Sequence, residues 1–321
     1  MLSKRQSDPS ISGQKNWPFL PENIIPDSVC QSNSMNPAKT LAHEYFEQVA
    51  EFEQRPARLG LGEVRDFYWY HTIDLGDGLV TPGMYDYRFT LAAFRFPETM
   101  RGMKVLDVGS ATGFFAFEFE RRGAQVVSVE LPSLDALDRF PGQTTEQVVG
   151  KIGRMLASCR PDGSAPASSC SAADLYFALL EGPFQFCKRR LKSKVERCYS
   201  TVYDLSLEKV GGREFDLIFV GDVLVHTLYP LRALAALAPL CKGTLVLSQN
   251  MPEQPPEPAM LYVGGERPGE DDLSWWLPNR ACMEQMLQKL GFRTVEEVGR
   301  NTGVLRPDGH PFDRAILHAS K

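Results

Sequence analysis

Two glycines and an acidic residue are spaced in the sequence as they are in nucleotide-binding sites. Gly109 and Gly113 follow one apolar run, and Glu130 ends the next apolar run about twenty residues later. Glycines in such a turn let the backbone approach a ligand closely, and an acid at that spacing can accept hydrogen bonds from both hydroxyls of a ribose. An ordinary strand–helix–strand unit with a tight turn is the alternative. The order of glycines, helix and acid favours a nucleotide site.

The turn reads Asp-Val-Gly-Ser-Ala-Thr-Gly from Asp107 to Gly113. It departs from the dinucleotide pattern Gly-x-Gly-x-x-Gly, because Ala111 stands where a middle glycine is often found. The segment resembles motif I of class I S-adenosylmethionine (SAM) methyltransferases, in which the turn surrounds the methionine part of SAM. The resemblance implies a cofactor site that contains Asp107, Gly109, Ser110, Ala111, Gly113 and Glu130.

Three further residues follow predicted strands. Asp204 stands where an acid can accept a hydrogen bond from the adenine amino group, and Gly221 and Asp222 stand at the edge where open α/β sheets bind ligands. His226 is the candidate general base, with Asp222 beside it, because a free imidazole titrates near neutrality. A histidine that only packs or hydrogen-bonds locally fits the sequence equally well.

Seven apolar runs predict the scaffold that positions these residues. Met103 to Val108 and Val126 to Val129 are the first two strands, and a phenylalanine-rich helix lies between them. The remaining strands are predicted at Arg197–Tyr203, Phe215–Val220, Thr244–Ser248, Phe292–Val298 and Ala315–Ala319. A loop rather than a helix joins the last two, so they should run antiparallel. The predicted fold is therefore α/β: a Rossmann-like, doubly wound, seven-stranded sheet with an antiparallel last strand.

An aromatic segment, Phe67 to Arg88, precedes the glycine turn and contains an Asp-Gly hairpin signal at Asp77. It could pack a predicted helix, Pro37 to about Gln54, on the core, or it could cover an acceptor pocket. In the second case the substrate-binding residues are Tyr70, His71, Tyr85 and Arg88. His71 also fits a structural role among the aromatic rings. If the pocket exists, the tips of His71 or Arg88 and of His226 should converge on one cavity.

The chain divides into three predicted parts. Residues 1–36 are a polar extension that we expect to be disordered, and residues 37–100 form a helical and hairpin cap. Residues 101–321 form the catalytic domain, with an insertion at about 134–192. Within the insertion, a loop from Arg160 to Ser171 separates helices predicted at Glu146–Leu156 and Ala172–Leu191.

The net charge, the cysteines and the length of the apolar runs exclude several classes of protein. A net charge of −5 argues against a broadly basic nucleic-acid-binding surface. Seven scattered cysteines without a Cys-x-x-Cys pair predict neither a disulfide framework nor a zinc site, and no run is long enough to span a membrane. A cytoplasmic enzyme without a metal is the expectation. The basic run from Lys188 to Lys194 is either a solvated helix face or a contact for phosphate on RNA or an acidic substrate.

The segments FVGDVLVHTLYPLRAL and SWWLPN resemble one branch of the class I enzymes, the tRNA wobble-uridine 5-oxyacetate (carboxymethyl) methyltransferase-like branch. The resemblance covers roughly residues 66–320. The branch enzyme holds the carboxylate of carboxy-SAM with a lysine, a tyrosine and a late arginine. Here the aromatic segment has no lysine, Val225 stands at the tyrosine position, and the late arginines, Arg300, Arg306 and Arg314, have no assignable match. These departures favour ordinary SAM over carboxy-SAM.

Three functions therefore remain open from the sequence. The first is SAM-dependent methylation of a small-molecule acceptor, which the acidic charge and the insertion favour. The second is (carboxy)methylation of a tRNA wobble uridine, which the branch motifs and the basic run favour. The third is a non-catalytic relative that binds SAM.

Overall fold

A computed structural model describes residues 37–62, 64–157, 159–160, 171–266 and 273–321. The predicted extension, residues 1–36, and nearly all of the loop predicted from Arg160 to Ser171 lie outside these ranges. No helix in the described ranges is long and apolar enough to cross a membrane.

Seven strands form one sheet in the order β3-β2-β1-β4-β5-β9-β8. Their bounds are β1 Lys104–Val108, β2 Gln125–Glu130, β3 Glu196–Tyr199, β4 Phe215–Gly221, β5 Cys241–Gln249, β8 Thr294–Val304 and β9 Pro311–Ser320. The first five are parallel, whereas β9 runs antiparallel to both β5 and β8. The predicted sheet is confirmed.

The strand order reverses between β1 and β4, because the chain moves outward through β2 and β3 before it returns to the other side of β1. Open α/β sheets bind ligands at such a switch point, outside the carboxyl ends of the strands. The residues that follow β1, β2 and β4 therefore meet at one edge.

Alternate side chains of the strands enter two cores, as the strand period of two requires. On one face Leu217 and Phe219 of β4 contact helix α2, Phe114–Arg121, where the Phe115 and Phe219 ring centroids are 4.3 Å apart. On the other face Ile218 and Val220 meet helix α6, Pro230–Leu237, and helix α7, Arg280–Lys289. The sheet is thus covered by helices on both faces.

The cap begins with helix α1, Pro37–Arg58, which is longer than predicted. Phe52 of α1 packs edge-on against Trp69, with ring centroids 5.0 Å apart, and Trp69 in turn packs against Phe186 of the insertion. The predicted hairpin turn is present, since the Leu75 N–H donates to the Leu79 carbonyl at 2.8 Å. The aromatic segment therefore fastens α1 to the core.

The insertion contributes helices α3, Thr145–Ala157, α4, Ala172–Tyr176, and α5, Gly182–Leu191. Between α4 and α5 the backbone forms one π-helical turn, Phe177–Glu181, so the predicted helix Ala172–Leu191 is one interrupted helix. A two-stranded antiparallel sheet, β6 Met260–Tyr262 with β7 Trp276–Pro278, was not predicted. These strands are three residues each, too short for an alternating pattern to show.

Candidate active site

A cavity of about 250 Å³ opens at the carboxyl ends of β1, β2 and β4. Residues of the glycine turn, of the cap, of α3 and of the π-helical turn line its wall. Of the predicted site residues, it is lined by Tyr70, His71, Asp107, Gly109, Ser110, Ala111, Glu130, Gly221, Asp222 and His226.

The glycine turn follows β1 and folds back toward β2. The N–H groups of Gly109 and Ser110 both donate to the Val129 carbonyl, at 3.0 and 3.1 Å. Gly109 has a φ of 69°, and a Cβ there would lie 2.4 Å from Cγ2 of Val223. The glycine is therefore needed mainly for the close approach of the loop after β4, which sequence reasoning did not foresee.

Gly113 does not line the cavity, contrary to its predicted cofactor role. It has a φ of 94° at the start of α2, and a Cβ there would lie 2.6 Å from the Phe117 ring and 2.8 Å from Phe184. Packing and backbone conformation therefore both favour glycine at position 113, and its cofactor role stays a prediction.

Glu130 is buried at the end of β2 and is held by two backbone donors. Its Oε2 accepts from the Ala111 N–H at 2.8 Å and its Oε1 accepts from the Leu131 N–H at 2.9 Å. A carboxylate offers about four acceptor positions, so both oxygens retain capacity for a diol in the cavity. The arrangement suits a ribose.

Asp107 is completely buried beside the turn. Burial raises the pKa of its carboxyl to about 7, against weaker opposing effects of the Ser110 side chain and of Arg197. Its Oδ2 has no hydrogen-bond partner among the described residues. A buried carboxylate oxygen without a donor is costly, and a cationic ammonium of a ligand would satisfy it.

Arg197 of β3 is the main residue of the site that sequence reasoning missed. Its side chain is 4% exposed, and its guanidinium lies 3.9 Å above the Phe184 ring. Nη1 donates to Ser128 Oγ at 2.8 Å and Nη2 donates to the Ala111 carbonyl at 3.1 Å. The available signal in the sequence is an arginine inside a predicted strand, close to the basic run that ends at Lys194.

Asp204, predicted to contact adenine, does not line the cavity. Its Oδ2 accepts from Thr201 Oγ1 at 2.6 Å, because β3 ends at Tyr199 and residues 202–204 form a short 3-10 turn. The residues from Ser200 to Tyr203 line the cavity in its place.

His71 and Tyr70 bring the cap to the cavity. Burial lowers the pKa of His71 to about 3, so its ring is neutral, and its Nδ1 lies 3.1 Å from Thr112 Oγ1. The His71 ring also lies between aromatic rings, 4.8 Å from Tyr70 and 5.8 Å from Phe114. His71 thus packs in the core and lines the cavity at the same time.

His226 also lines the cavity, from a short turn after β4. Its Nδ1 lies 2.5 Å from the Leu273 carbonyl, which can only accept, so Nδ1 carries the proton and the neutral ring has its lone pair on Nε2. Burial lowers the pKa of His226, against an opposing effect of the Leu273 carbonyl. The neutral form required of a general base therefore dominates at neutral pH.

Asp222 has a left-handed backbone, with a φ of 50°, and pairs with a buried arginine of β9. Arg314 Nε donates to Asp222 Oδ2 at 2.7 Å. Both residues, with Tyr70, Tyr85 and His226, line a small second cavity of about 10 Å³ beside the first. The ion pair leaves Asp222 better suited to orient a ligand than to remove a proton.

Arg88 does not line either cavity, contrary to its predicted role in binding substrate. Its Nε and Nη2 donate to the two carboxylate oxygens of Asp86, at 2.8 and 2.7 Å. The guanidinium is thus paired with the neighbouring acid, and the substrate-binding role of Arg88 stays a prediction that the structure does not support. Of the three late arginines, Arg314 reaches the site, Arg306 donates to Thr72 and Gly83 of the cap, and Arg300 pairs with Asp313.

The comparisons with known proteins concern both sequence and fold. A family model described as "Methyltransferase domain" matches residues 86–297, more than half of the chain. Among curated proteins none matches the sequence significantly.

Two solved structures share the general fold at low similarity. Magnesium protoporphyrin IX methyltransferase from Synechocystis PCC 6803 with bound SAM is 12% identical, with a TM-score of 0.42 over 91% of this chain and 100% of that one. The 1,6-didemethyltoxoflavin-N1-methyltransferase of Burkholderia thailandensis is 13% identical, with a TM-score of 0.40 over 91% and 93%.

Proposed function

Because the chain belongs to the methyltransferase-domain family, we propose that it is a SAM-dependent enzyme whose cavity holds SAM beside a small organic acceptor. The observation that carries the proposal is that the glycine turn, Glu130, His71 and His226 line one cavity. The cofactor residues and the candidate base therefore face the same space, at the switch point of the sheet.

The residues present fit SAM. Glu130 has acceptor capacity for the ribose, residues 200–203 line the neighbouring wall, and the partnerless Oδ2 of Asp107 offers an acceptor for the ammonium of the methionine part. When bound, SAM would supply an electrophilic methyl group on its sulfonium, which passes in line to the acceptor nucleophile as the carbon–sulfur bond breaks and S-adenosylhomocysteine leaves. The protein then has to align the acceptor and exclude water.

Five buried or half-buried ring side chains line the cavity: Tyr70, His71, Tyr87, Phe94 and Phe115. Ring faces of this kind suit a planar organic acceptor, so they support an acceptor site beside them. If the nucleophile is a hydroxyl, Nε2 of neutral His226 can take its proton. Asp222, fixed by Arg314, is placed to orient a polar group of the acceptor.

The alternative acceptor is a tRNA wobble uridine, with SAM or carboxy-SAM as donor. The sequence resemblance supports it, but the described residues add little. Val225 is buried at the position of the branch tyrosine, and the charge of Arg314 is already met by Asp222. Within the basic run, Arg190 is bound to Asp77 at 2.5 Å. Ordinary SAM and a small acceptor are therefore favoured.

Two measurements test the proposal. Mass spectrometry of ligands extracted from the purified protein should find SAM or S-adenosylhomocysteine (SAH), and carboxy-SAM would favour the tRNA alternative. Methyl-labelled SAM should then be incubated with the protein and either the low-molecular-weight fraction or the tRNA of a cell extract. Label in the small-molecule fraction supports the proposal, whereas label in tRNA alone would overturn it.

A further inference from the structure

Arg197 joins parts of the chain that the sequence separates widely. From β3, at the edge of the sheet, its guanidinium reaches the glycine turn, β2 and the π-helical turn of the insertion. We propose that Arg197 is a positioning residue for the cofactor, and that through it the insertion becomes part of the cofactor site. The inference rests on the proposed function only in that SAM occupies this cavity.

Arg197 forms hydrogen bonds to the glycine turn and to β2. Nη1 donates to Ser110 Oγ at 3.2 Å and to Ser128 Oγ at 2.8 Å, while Nη2 donates to the Ala111 carbonyl at 3.1 Å. Nη2 also lies 3.9 Å from Oε2 of Glu130, the oxygen that accepts from the Ala111 N–H. One planar fork thus fixes both the turn and the carboxylate proposed to hold the ribose.

Arg197 also forms an ion pair with Glu181 of the insertion. Arg197 Nε lies 3.7 Å from Glu181 Oε2, and both atoms are buried without a hydrogen-bond partner among the described residues. The two charges therefore stabilise each other, because a buried charge without a counter-charge is strongly unfavourable. Glu181 is itself fixed, since its Oε1 accepts from Tyr199 at 2.7 Å and from Gln185 at 2.8 Å.

The π-helical turn is anchored beside the cofactor site at its other end too. The Tyr176 hydroxyl donates to the Leu131 carbonyl at 2.6 Å, next to Glu130. Between these anchors, Leu179 and Leu180 line the cavity. π-Helical turns occur often at functional sites. Here the turn presents two apolar side chains to the cavity and places Glu181 against Arg197.

The test measures SAH binding by calorimetry, at a temperature where circular dichroism shows every variant to be folded. Arg197→Met removes the fork, and Arg197→Lys keeps the charge but cannot make the same set of hydrogen bonds. We expect both to weaken SAH binding about tenfold or more, the equivalent of one charged hydrogen bond. The matched control is Arg213→Met, which removes a bidentate pair with Glu196 that lies outside the cavity, at 2.8 and 2.9 Å. It should bind SAH like the wild type.

A second variant separates positioning from simple charge neutralisation. Arg197→Met leaves the buried Glu181 carboxylate without its counter-charge, which should lower the melting temperature. In Arg197→Met/Glu181→Gln this carboxylate is absent, so the melting temperature should recover toward the wild-type value. If Arg197 positions the turn and Glu130, SAH affinity should stay low in this double variant. Wild-type affinity in the double variant, or in Arg197→Met, would overturn the inference. Failure of the wild type to bind SAH would instead overturn the cofactor assignment and the inference with it.

Discussion

Individual side chains of the site are distinguished by what burial does to their charge. His71 and His226 are both held neutral, but His71 is enclosed by aromatic rings whereas His226 keeps its lone pair on the nitrogen opposite the Leu273 contact. Asp107 is the converse case, a carboxyl whose pKa burial raises to about 7. The predictions at this scale follow from these differences.

Replacement of Glu130 should weaken SAM binding without unfolding the protein. We expect Glu130→Ala to lose about 1–3 kcal/mol of binding free energy, because a charged acceptor of hydrogen bonds is removed. Calorimetric titration with SAH measures the change. Glu208→Ala, which alters an exposed acid, is the control. Unchanged affinity in Glu130→Ala would exclude it from the ribose site.

His226 should act as a base only in its neutral form. The rate of methyl transfer to a hydroxyl acceptor should therefore rise with pH through the pKa of His226, which lies below the ordinary value. His226→Asn can still donate to the Leu273 carbonyl, and it should lose the pH dependence and about 10²-fold or more in kcat. A pH profile that is the same in this variant would assign the proton transfer to another group.

Asp107 should make the unliganded protein less stable as the pH rises. Its pKa is higher in the folded protein, about 7, than the ordinary 3.8, so the folded state binds more protons between these values. Stability contributed by the neutral carboxyl is complete below this window and is lost as the pH rises through it. Urea unfolding of Asp107→Asn, compared with the wild type from pH 4 to pH 8, should show a flatter profile. Equal slopes would contradict this account.

The elements place these residues through close contacts that a sequence pattern does not display. The strands, the glycine turn and the acid at the end of β2 were predictable, because the spacing of apolar residues and the residue order depend on local chain geometry. The contact of Gly109 with Val223 joins residues far apart in the chain and could not be read from either segment. Asp204 and Arg88 instead bond to Thr201 and Asp86, close neighbours in the chain, and their predicted roles toward adenine and substrate stay predictions.

Gly109→Val should abolish SAH binding, for a reason that lies in the turn. The new Cβ would collide with Val223, and a branched residue would also be strained at a φ of 69°. Gly102→Val is the matched control, because Gly102 has a φ of 81° and open space around it. The control should lose stability but not SAH affinity. Gly109→Ala/Val223→Ala, in which the colliding methyl is absent, should bind SAH better than Gly109→Ala alone.

At the scale of the whole molecule, cap and insertion enclose a site whose floor belongs to the sheet. The sequence identified both additions and their helices, but not that they meet. Phe67 of the cap lies so close to the insertion that a Cβ on Gly182 would be 2.5 Å from its ring. Such a contact depends on how separate layers pack, which residue order alone does not specify.

Ligand binding should therefore slow hydrogen exchange in the insertion. Ile152 and Leu156 of α3, and Leu179 and Leu180 of the π-helical turn, line the cavity. Addition of SAH should slow hydrogen exchange of the amides in both segments, because local opening would then have to release the ligand. Helix α7 does not line the cavity and should exchange at an unchanged rate. Equal protection of α3 and α7 would contradict the proposed enclosure.

Strand β9 lies between β5 and β8 in the sheet, although β8 precedes it in the chain. During synthesis β8 emerges before β9, yet among the described residues β9 is the only strand that pairs with β8. A nascent chain can thus pair β1 to β5, with the glycine turn and Glu130, before β8 is able to join the sheet. Arg314 arrives on β9, so Asp222 gains its counter-charge only at that step. The part of the site proposed to bind SAM can therefore form early, whereas the part proposed to bind the acceptor is completed only when β9 joins the sheet.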